Sequence, residues 1–361
     1  MKYNNHPDLF IERCSREKYR EFLTVVNNAF GHQAEDEWVE NDTPNCTPLE
    51  KDARDSEIEK HFIASVDGKI VGTIGAYAFD WLVSDGETVI TIEAFGTGQV
   101  CTREDFRGRG VMSALMKHAL KEMTNAGKVI SFLTGDRFRY QHFGYDLGGN
   151  TAKFSLSKNH FGKSIELLNI DSRAARPADW RKLNSLYETL PSYLKRDELA
   201  WKRHLERYNF SFIIGEHKGK TGYICVKDEN ECVEAAGDRA VVLNLIHALI
   251  QREKLDEVRV HYPYMSGLPD ELSEALYRAA SSAEVSPYGM IAIHNADILF
   301  DQMSAIIEKQ INAKVAGIDK YQKELILRRL FGYVYHPLKQ PAAGFSAVHP
   351  LCAWMPPVDT I

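Results

Sequence analysis

The sequence lacks the marks of several protein classes. It contains no run of about 18 apolar residues, so a membrane-spanning helix is not expected. Its N-terminal segment has no basic stretch followed by an apolar one, which a secretory signal requires. None of the six cysteines forms a CxxC pair, so neither a zinc ribbon nor a disulfide framework is expected. These absences favour a cytoplasmic protein without a metal site and without a membrane partner.

The chain also lacks an excess of basic charge. Its 361 residues include 44 Lys and Arg against 50 Asp and Glu, which gives a formal net charge of -6. We therefore predict no nucleic-acid partner, because such binding depends on basic charge. The apolar fraction of 44% and the charged fraction of 26% are typical of a globular protein, and the length indicates two or three domains.

The common phosphate-binding motifs are absent as well, since neither GxxxxGK[ST] nor GxGxxG occurs. A different glycine-rich turn is present in "CTREDFRGRGVMSALMKHALKEM", residues 101–123, where an apolar pattern predicts a helix from about Gly108 to Ala126. The first amides of a helix are unpaired, and glycines let an anion approach them. Arg107 and Arg109 add bidentate donors. One pyrophosphate would satisfy all these groups, and a solvated helix start is the alternative.

The surrounding pattern places this turn between strands. A long predicted strand precedes it, and Gly96 and Gly98 within that strand indicate a bulge or a close backbone approach. Residues 128–134 form the next predicted strand. From about residue 160 the order of predicted strands and helices repeats, with residues 164–170 as a strand, but no RGRG turn precedes the corresponding helix. The chain ends in two predicted helices and a proline-bearing tail.

The segment "RGRGVM", residues 107–112, resembles the Q/R-x-x-G-x-G/A signature of the GNAT superfamily of N-acetyltransferases. Met112 departs from the small residue of that signature. The enhanced intracellular survival (Eis)-like acetyltransferases share this departure, and they also carry a Y-x-x-F-G-Y segment, which here runs from Tyr140 to Tyr145. The resemblance implies an α/β (α+β) fold with a mixed central sheet. It also implies a GNAT domain at 1–155, a degenerate GNAT-like domain at 156–290 and a sterol-carrier-protein-like region with a docked tail at 291–361.

The resemblance further implies that acetyl-coenzyme A binds at this turn. The backbone of Val100, Cys101 and Thr102 would pair with the pantetheine arm as another strand would. The pyrophosphate would bind backbone amides of six consecutive residues: Arg107, Gly108, Arg109, Gly110, Val111 and Met112. Cys101 could be mistaken for a nucleophile, but no histidine lies nearby in sequence to activate it, so a structural role is favoured.

Acetyl transfer to an amine needs an acid for the leaving thiolate and a base for the ammonium proton. Tyr140 matches the first tyrosine of the family segment and is the candidate acid, with aromatic packing as its alternative role. In relatives the terminal carboxylate enters the active site, which here is that of Ile361, with Asp359 as an alternative within the tail. Glu93 is a second candidate base.

Acidic and aromatic walls favour an amine acceptor, so Trp38, Asp80 and Trp81 are candidates for the acceptor pocket. Trp81 has a packing role as its alternative. We thus predict an acetyl-CoA-dependent N-acetyltransferase that acts on a primary amine by direct attack in a ternary complex and forms a homo-oligomer. The acceptor amine belongs to a small molecule or to a lysine side chain. The alternative is a catalytically inactive module that binds acyl-CoA or another protein, since the second copy has already lost its turn.

Overall fold

The computed structural model describes residues 2–3, 6–30, 58–85, 87–206, 209–263 and 271–332. In chain order the strands are β1 (Lys2–Tyr3), β2 (His6–Arg13), β3 (His61–Val66), β4 (Lys69–Ser84), β5 (Val89–Thr102), β6 (Ile130–Leu133), β7 (Asp146–Ser157), β8 (Asp171–Ala174), β9 (Ser192–Leu194), β10 (Phe210–His217), β11 (Lys220–Lys227), β12 (Glu231–Gly237), β13 (Glu257–Pro263) and β14 (Ser282–Ile293). The helices are α1 (Arg16–Phe30), α2 (Val111–Asn125), α3 (Arg137–Tyr140), α4 (Lys158–Ser164), α5 (Trp180–Tyr187), α6 (Glu198–Glu206), α7 (Arg239–Arg252), α8 (Glu271–Ala279), α9 (Ala296–Ile311) and α10 (Lys320–Leu330).

All the strands in the described part of the chain join one mixed sheet. Its order is β1-β2-β3-β4-β5-β6-β14-β7-β13-β12-β11-β10-β8, and β9 pairs with β4. Among the strands that the structure describes, only two neighbouring pairs are parallel, β5 with β6 and β12 with β13. A mixed α/β sheet was predicted, and this prediction is confirmed.

The two halves of the chain repeat one arrangement. A hairpin, a third strand, a helix and a parallel strand follow one another as β3, β4, β5, α2 and β6 in the first half. The elements β10, β11, β12, α7 and β13 repeat that order in the second half. This repeat agrees with the tandem organisation that the sequence predicts.

The halves exchange strands where they meet. β14 comes from the second half but pairs with β6, with Met290 opposite Leu133 and Ile293 opposite Ile130. β7 comes from the first half and lies between β14 and β13. Both domain boundaries proposed from the sequence, 155/156 and 290/291, therefore fall inside strands that the two halves share. The three-domain division itself stays a prediction.

One predicted strand is wrong. Residues 164–170 are the end of α4 and an irregular segment, and the strand that follows starts only at Asp171. The segment is held by Asn244 of α7, which accepts from the amide of Leu168 and donates to the carbonyl of Glu166 at 2.9 and 3.0 Å. Side-chain bonds to a helix thus satisfy a backbone that the apolar pattern had assigned to the sheet.

Helices α9 and α10 pack on the sheet of the first half. Their core contains Phe300, Met303 and Leu327 together with Trp81 and Ile92 of the sheet. A sterol-carrier-protein-like fold for this region stays a prediction, because residues 333–361 lie outside the described part. None of the helices that the structure describes is long and apolar enough to cross a membrane.

Candidate active site

The parallel pair β5–β6 separates soon after it begins. Its register runs only from Ala94 opposite Ile130 to Gly96 opposite Phe132. β5 continues for six more residues to Thr102, and no other described strand pairs with that edge of it. The backbone from Thr97 to Thr102 thus lines an open wedge, which contains the three residues predicted to bind pantetheine: Val100, Cys101 and Thr102. An extended molecule can pair with such an edge as a strand would.

A β-bulge shapes the wedge. The β4–β5 register shifts between Gly75 opposite Gly98 and Thr73 opposite Cys101, and Gln99 has a positive φ of 49°. Thr73 Oγ1 donates to the carbonyl of Gln99 at 2.8 Å, and Tyr77 Oη donates to its side chain at 3.0 Å. The bulge predicted from the glycine pattern is confirmed, and it begins directly after the second glycine.

The turn after β5 leaves a helix start free of side-chain caps. Gly108 and Gly110 have φ of 74° and 78°, a conformation that favours glycine. Gly110 is the N-cap of α2 and supplies no side-chain hydrogen bond, and the first helical bond runs from Ala114 N–H to its carbonyl at 3.0 Å. The amides of residues 111–113 therefore have no intrahelical acceptor and suit an anion.

The arginines around this turn are exposed and loosely held. Arg107 has a side-chain exposure of 63% and lies 3.6 Å from Glu104. Arg109 lies over the ring of Phe106 at 4.9 Å. Exposed ion pairs of this kind contribute little, so Arg107 can turn toward a stronger anionic partner.

Cys101 has the structural role that the sequence favoured. Its thiol is buried, lies 3.0 Å from Thr73 Oγ1, and has a pKa raised by burial. A buried thiol with a raised pKa is not a thiolate at neutral pH, and it is correspondingly unreactive.

Tyr140 ends the short helix α3, which follows β6, and its ring centroid lies 6.4 Å from that of Tyr145. Asp136 caps that helix by accepting from the amide of Phe138 at 2.9 Å. The tyrosine is only 6% exposed, and burial raises the pKa of its phenol. Tyr140 therefore stays protonated at neutral pH, as a general acid must before it acts.

A second tyrosine lies at the point where β5 and β6 separate. Tyr145 Oη accepts from Ser131 Oγ of β6 at 2.6 Å and lies 3.2 Å from Thr97 Oγ1 of β5. Ser131 Oγ also lies 2.7 Å from Nε2 of His294, just past β14. The sequence drew attention to Tyr145 only as the last residue of the Y-x-x-F-G-Y segment. It gave no signal for His294, because the strand exchange alone brings that residue here.

Two of the predicted site residues are cross-strand neighbours. Asp80 of β4 pairs in register with Glu93 of β5, and such partners share one face of a sheet. Glu93 is exposed and lies 3.5 Å from Lys128 Nζ. By strand alternation its side chain lies on the same face as that of Thr97, about 13 Å further along β5. The pair forms an acidic surface on the face that holds Tyr145.

Trp81 points to the opposite face. It is fully buried, packs against Phe331 and donates from Nε1 to Ser192 Oγ at 2.9 Å. This placement favours its packing role over a place in the acceptor pocket. Trp38, Ile361 and Asp359 lie outside the described residues, so their predicted roles stay predictions.

Comparison with known proteins agrees with this geometry. Residues 11–148 match the model of a family described as an acetyltransferase (GNAT) domain. This match confirms the predicted resemblance to the GNAT superfamily for that part of the chain, and it supports acyl transfer to an amine in general. No curated protein sequence matches the chain.

Solved structures share the fold over most of the chain. A GCN5-related N-acetyltransferase from Kribbella flavida is 18% identical with a TM-score of 0.60, and 79% of this chain and 71% of that chain are covered. A probable N-acyltransferase from Enterococcus faecalis is 16% identical with a TM-score of 0.61, covering 83% and 75%. Eis1 from Mycobacterium abscessus is 14% identical with a TM-score of 0.56, covering 81% and 75%. The Eis-like resemblance is thus confirmed as a likeness of fold.

Proposed function

We propose that the protein is an acetyl-CoA-dependent N-acetyltransferase that acts on a primary amine in a ternary complex. The observation that carries the proposal is one continuous element. It consists of the open edge of β5 from Thr97 to Thr102, the turn with two left-handed glycines, and the start of α2 without a side-chain cap. An extended amide-containing arm that ends in a pyrophosphate would place its amides along the strand edge and its pyrophosphate at the helix start.

The residues present fit such a molecule. Val100 and Thr102 offer backbone donors and acceptors at the wedge, whereas the backbone groups of Cys101 face its partner Thr73 on β4. The amides from Arg107 through Met112 surround the turn. Gly72 lets the helix approach the sheet closely, because a Cβ there would lie 2.7 Å from Val111 Cγ1. When bound, acetyl-CoA would supply an activated thioester.

Two described residues on one face of the sheet, Tyr140 and Glu93, are candidates for the proton transfers. As the amine nitrogen bonds to the acetyl carbon and the carbon–sulfur bond breaks, Tyr140 would deliver its phenolic proton to the sulfur. The proton lost by the amine would pass to a carboxylate. Glu93 is distant from the wedge and would act through water, whereas the terminal carboxylate of Ile361 is the other candidate.

The acceptor proposed here is a cationic amine. Asp80 and Glu93 lie side by side, and their two negative charges outnumber the one positive charge of Lys128 beside Glu93, so they would attract an ammonium group to the face that carries Tyr140 and Tyr145. A cytoplasmic location and a homo-oligomeric state complete the proposal.

The test measures acetyl-CoA binding by calorimetry and amine-dependent thiol release in the full chain. Tyr140→Phe removes the acid, so we expect kcat to fall about 100-fold. The Kd for acetyl-CoA should change by no more than about twofold, because the hydroxyl acts on the leaving group rather than on binding. Tyr321→Phe, at an exposed tyrosine of α10, is the matched control and should leave both values unchanged.

Two other outcomes point away from the proposal. Binding of acetyl-CoA without transfer to any amine in a broad panel would indicate an inactive acyl-CoA-binding module. Absence of binding would instead leave a protein-interaction role. An unchanged kcat in Tyr140→Phe would remove Tyr140 as the acid while leaving the activity in place.

A further inference from the structure

Four polar side chains form a continuous hydrogen-bonded chain beneath the apex of the wedge. His294 Nε2 lies 2.7 Å from Ser131 Oγ, Ser131 Oγ lies 2.6 Å from Tyr145 Oη, and Tyr145 Oη lies 3.2 Å from Thr97 Oγ1. Ser131 and Tyr145 are at most 1% exposed and Thr97 is 8% exposed. The ring of His294 stacks on Phe95 with centroids 5.3 Å apart. Packing and hydrogen bonds thus hold these four side chains in one arrangement.

The hydrogen bonds that link these four side chains all donate in one direction. Ser131 donates to Tyr145, so its single hydrogen is used and its oxygen accepts from His294. Burial lowers the pKa of His294 to about 4, so the ring is neutral at pH 7 and carries one proton. Because Ser131 already uses its hydrogen toward Tyr145, the tautomer that completes the hydrogen bonds has that proton on Nε2. Tyr145 accepts from Ser131, so its own proton is available for Thr97 Oγ1. His294 is therefore the donor that starts the chain, and Thr97 is its end.

The four hydrogen-bonded side chains lie at the place where β5 and β6 separate. Thr97 belongs to β5 and directly follows Gly96, the last residue of β5 that pairs with β6. Ser131 belongs to β6 and lies within that last paired stretch. The hydroxyl of Tyr145 bridges the two strands at this point, so it sets their spacing where the wedge begins.

We propose that His294 is a positioning residue of the active site, which acts through Ser131 and Tyr145 to hold Thr97 and the apex of the wedge in place. The inference rests on the proposed function for its catalytic meaning. It assigns to the second half of the chain a part in a site that is otherwise built by the first half, because His294 reaches β6 only through the exchanged strand β14.

The test compares His294→Leu, which removes the donor at similar size, with His294→Gln, whose side-chain amide can still donate to Ser131. Ser131→Ala and Tyr145→Phe break the chain at its two inner positions. His247→Leu is the matched control, because His247 of α7 also lies beside a phenylalanine ring, but that ring is Phe161 of the second half and not Phe95 of β5. Each full-length variant is measured for kcat, for the Kd of coenzyme A and for amide hydrogen exchange at residues 97–99.

For His294→Leu, Ser131→Ala and Tyr145→Phe we expect kcat to fall about tenfold, with the Kd of coenzyme A within about threefold of the wild type. Exchange at residues 97–99 should rise about tenfold in the same variants. His294→Gln should restore both values to within about threefold, because a donor is again present. His247→Leu should match the wild type.

Three results would overturn the proposal. The first is a normal kcat and normal exchange in folded His294→Leu. The second is a loss in His294→Gln as large as in His294→Leu, which would mean that the donor is irrelevant. The third is an equal loss of kcat and coenzyme A affinity, which would indicate general damage. If the wild type neither binds acetyl-CoA nor transfers acetyl groups, the proposed function has failed, and the exchange measurement still decides whether His294 holds the apex.

Discussion

The connection from β5 to α2 and the connection from β12 to α7 occupy corresponding places in the two halves, but their first turns differ. In the first half, Gly110 precedes the helix and no side chain caps it. In the second half, Asp238 takes that position and its carboxylate accepts from the amides of Ala240 and Val241 at 3.1 and 3.2 Å. The amides open to an anion in one half thus already have an anionic partner in the other.

The arginines of the two halves differ in the same sense. Arg107 is exposed beside its turn, whereas the side chain of Arg196 is 2% exposed and forms a two-pronged pair with Glu234 at 3.0 and 2.6 Å. Arg196 also lies 3.8 Å from the ring centroid of Tyr187. In the second half, the charge of Arg196 is therefore neutralised by Glu234 inside the fold. The comparison teaches that one architecture can have two uses. Where the helix-start amides and the arginine have no strong partner, they are available to a ligand, and where they are paired within the protein, they contribute to stability.

The largest effect that would sharpen this comparison concerns Arg196. Arg196→Met leaves Glu234 buried without its cation, which should lower the free energy of unfolding by about 3–5 kcal/mol. The same substitution at exposed Arg107 should change it by no more than about 0.5 kcal/mol. Urea unfolding of both variants measures this difference in the free energy of unfolding. Equal losses of stability would contradict the structural role of the Arg196 charge in the second half.

The next effect transfers the cap of the second half into the first. Gly110→Asp places a carboxylate at the helix start that a pyrophosphate would occupy, so coenzyme A affinity should fall about 100-fold, or ~2.7 kcal/mol. Gly110→Asn is the control, because asparagine also tolerates positive φ and carries no charge. Calorimetry with coenzyme A decides, and similar losses in the two variants would show that backbone conformation rather than charge matters here.

A third prediction concerns His294, the residue that the second half supplies to the first. Its folded pKa of about 4 lies below the usual value of 6.5, so the unfolded state binds more protons as the pH falls below 6.5. Between pH 7 and pH 5 the wild type should therefore lose about 2 kcal/mol more stability than His294→Gln. Denaturant unfolding at the two pH values measures this difference, in which other titrating groups cancel. Equal losses would place the ring in a solvated site.

The smallest effect concerns the cap itself. Asp238→Ala should cost about 1 kcal/mol of stability, and Asp238→Asn less, because asparagine also caps helices. Burial alone would raise the pKa of Asp238, but hydrogen bonds from Lys220 and from the amides of α7 lower it overall. The contribution of Asp238 to stability is thus complete at neutral pH, and it is lost only as the pH falls through the lowered pKa of this carboxyl group. Thermal unfolding of the variants from neutral to acidic pH follows it.

Local features of the site could be predicted from the sequence because local rules decide them. Gly108 and Gly110 indicated a turn at a helix start that an anion can approach, and the structure gives both a positive φ. Gly96 and Gly98 indicated the bulge that Gln99 forms. Features set by distant pairing could not be predicted. Nothing near His294 or Ser131 in sequence indicates that they meet, and the apolar pattern of residues 164–170 does not reveal that Asn244 holds them off the sheet.

The exchange of β14 and β7 has a consequence for the order in which the chain acquires structure. β6 gains its second neighbour only when residues 290–293 are present, about 160 residues further along the chain. During synthesis the first half therefore leaves the ribosome with one edge of β6 unpaired. β7 has neither of its neighbours at that point, because β13 and β14 both belong to the second half. The wedge reaches its final shape late, when the last strand is inserted, so an incomplete chain has no finished site to occupy.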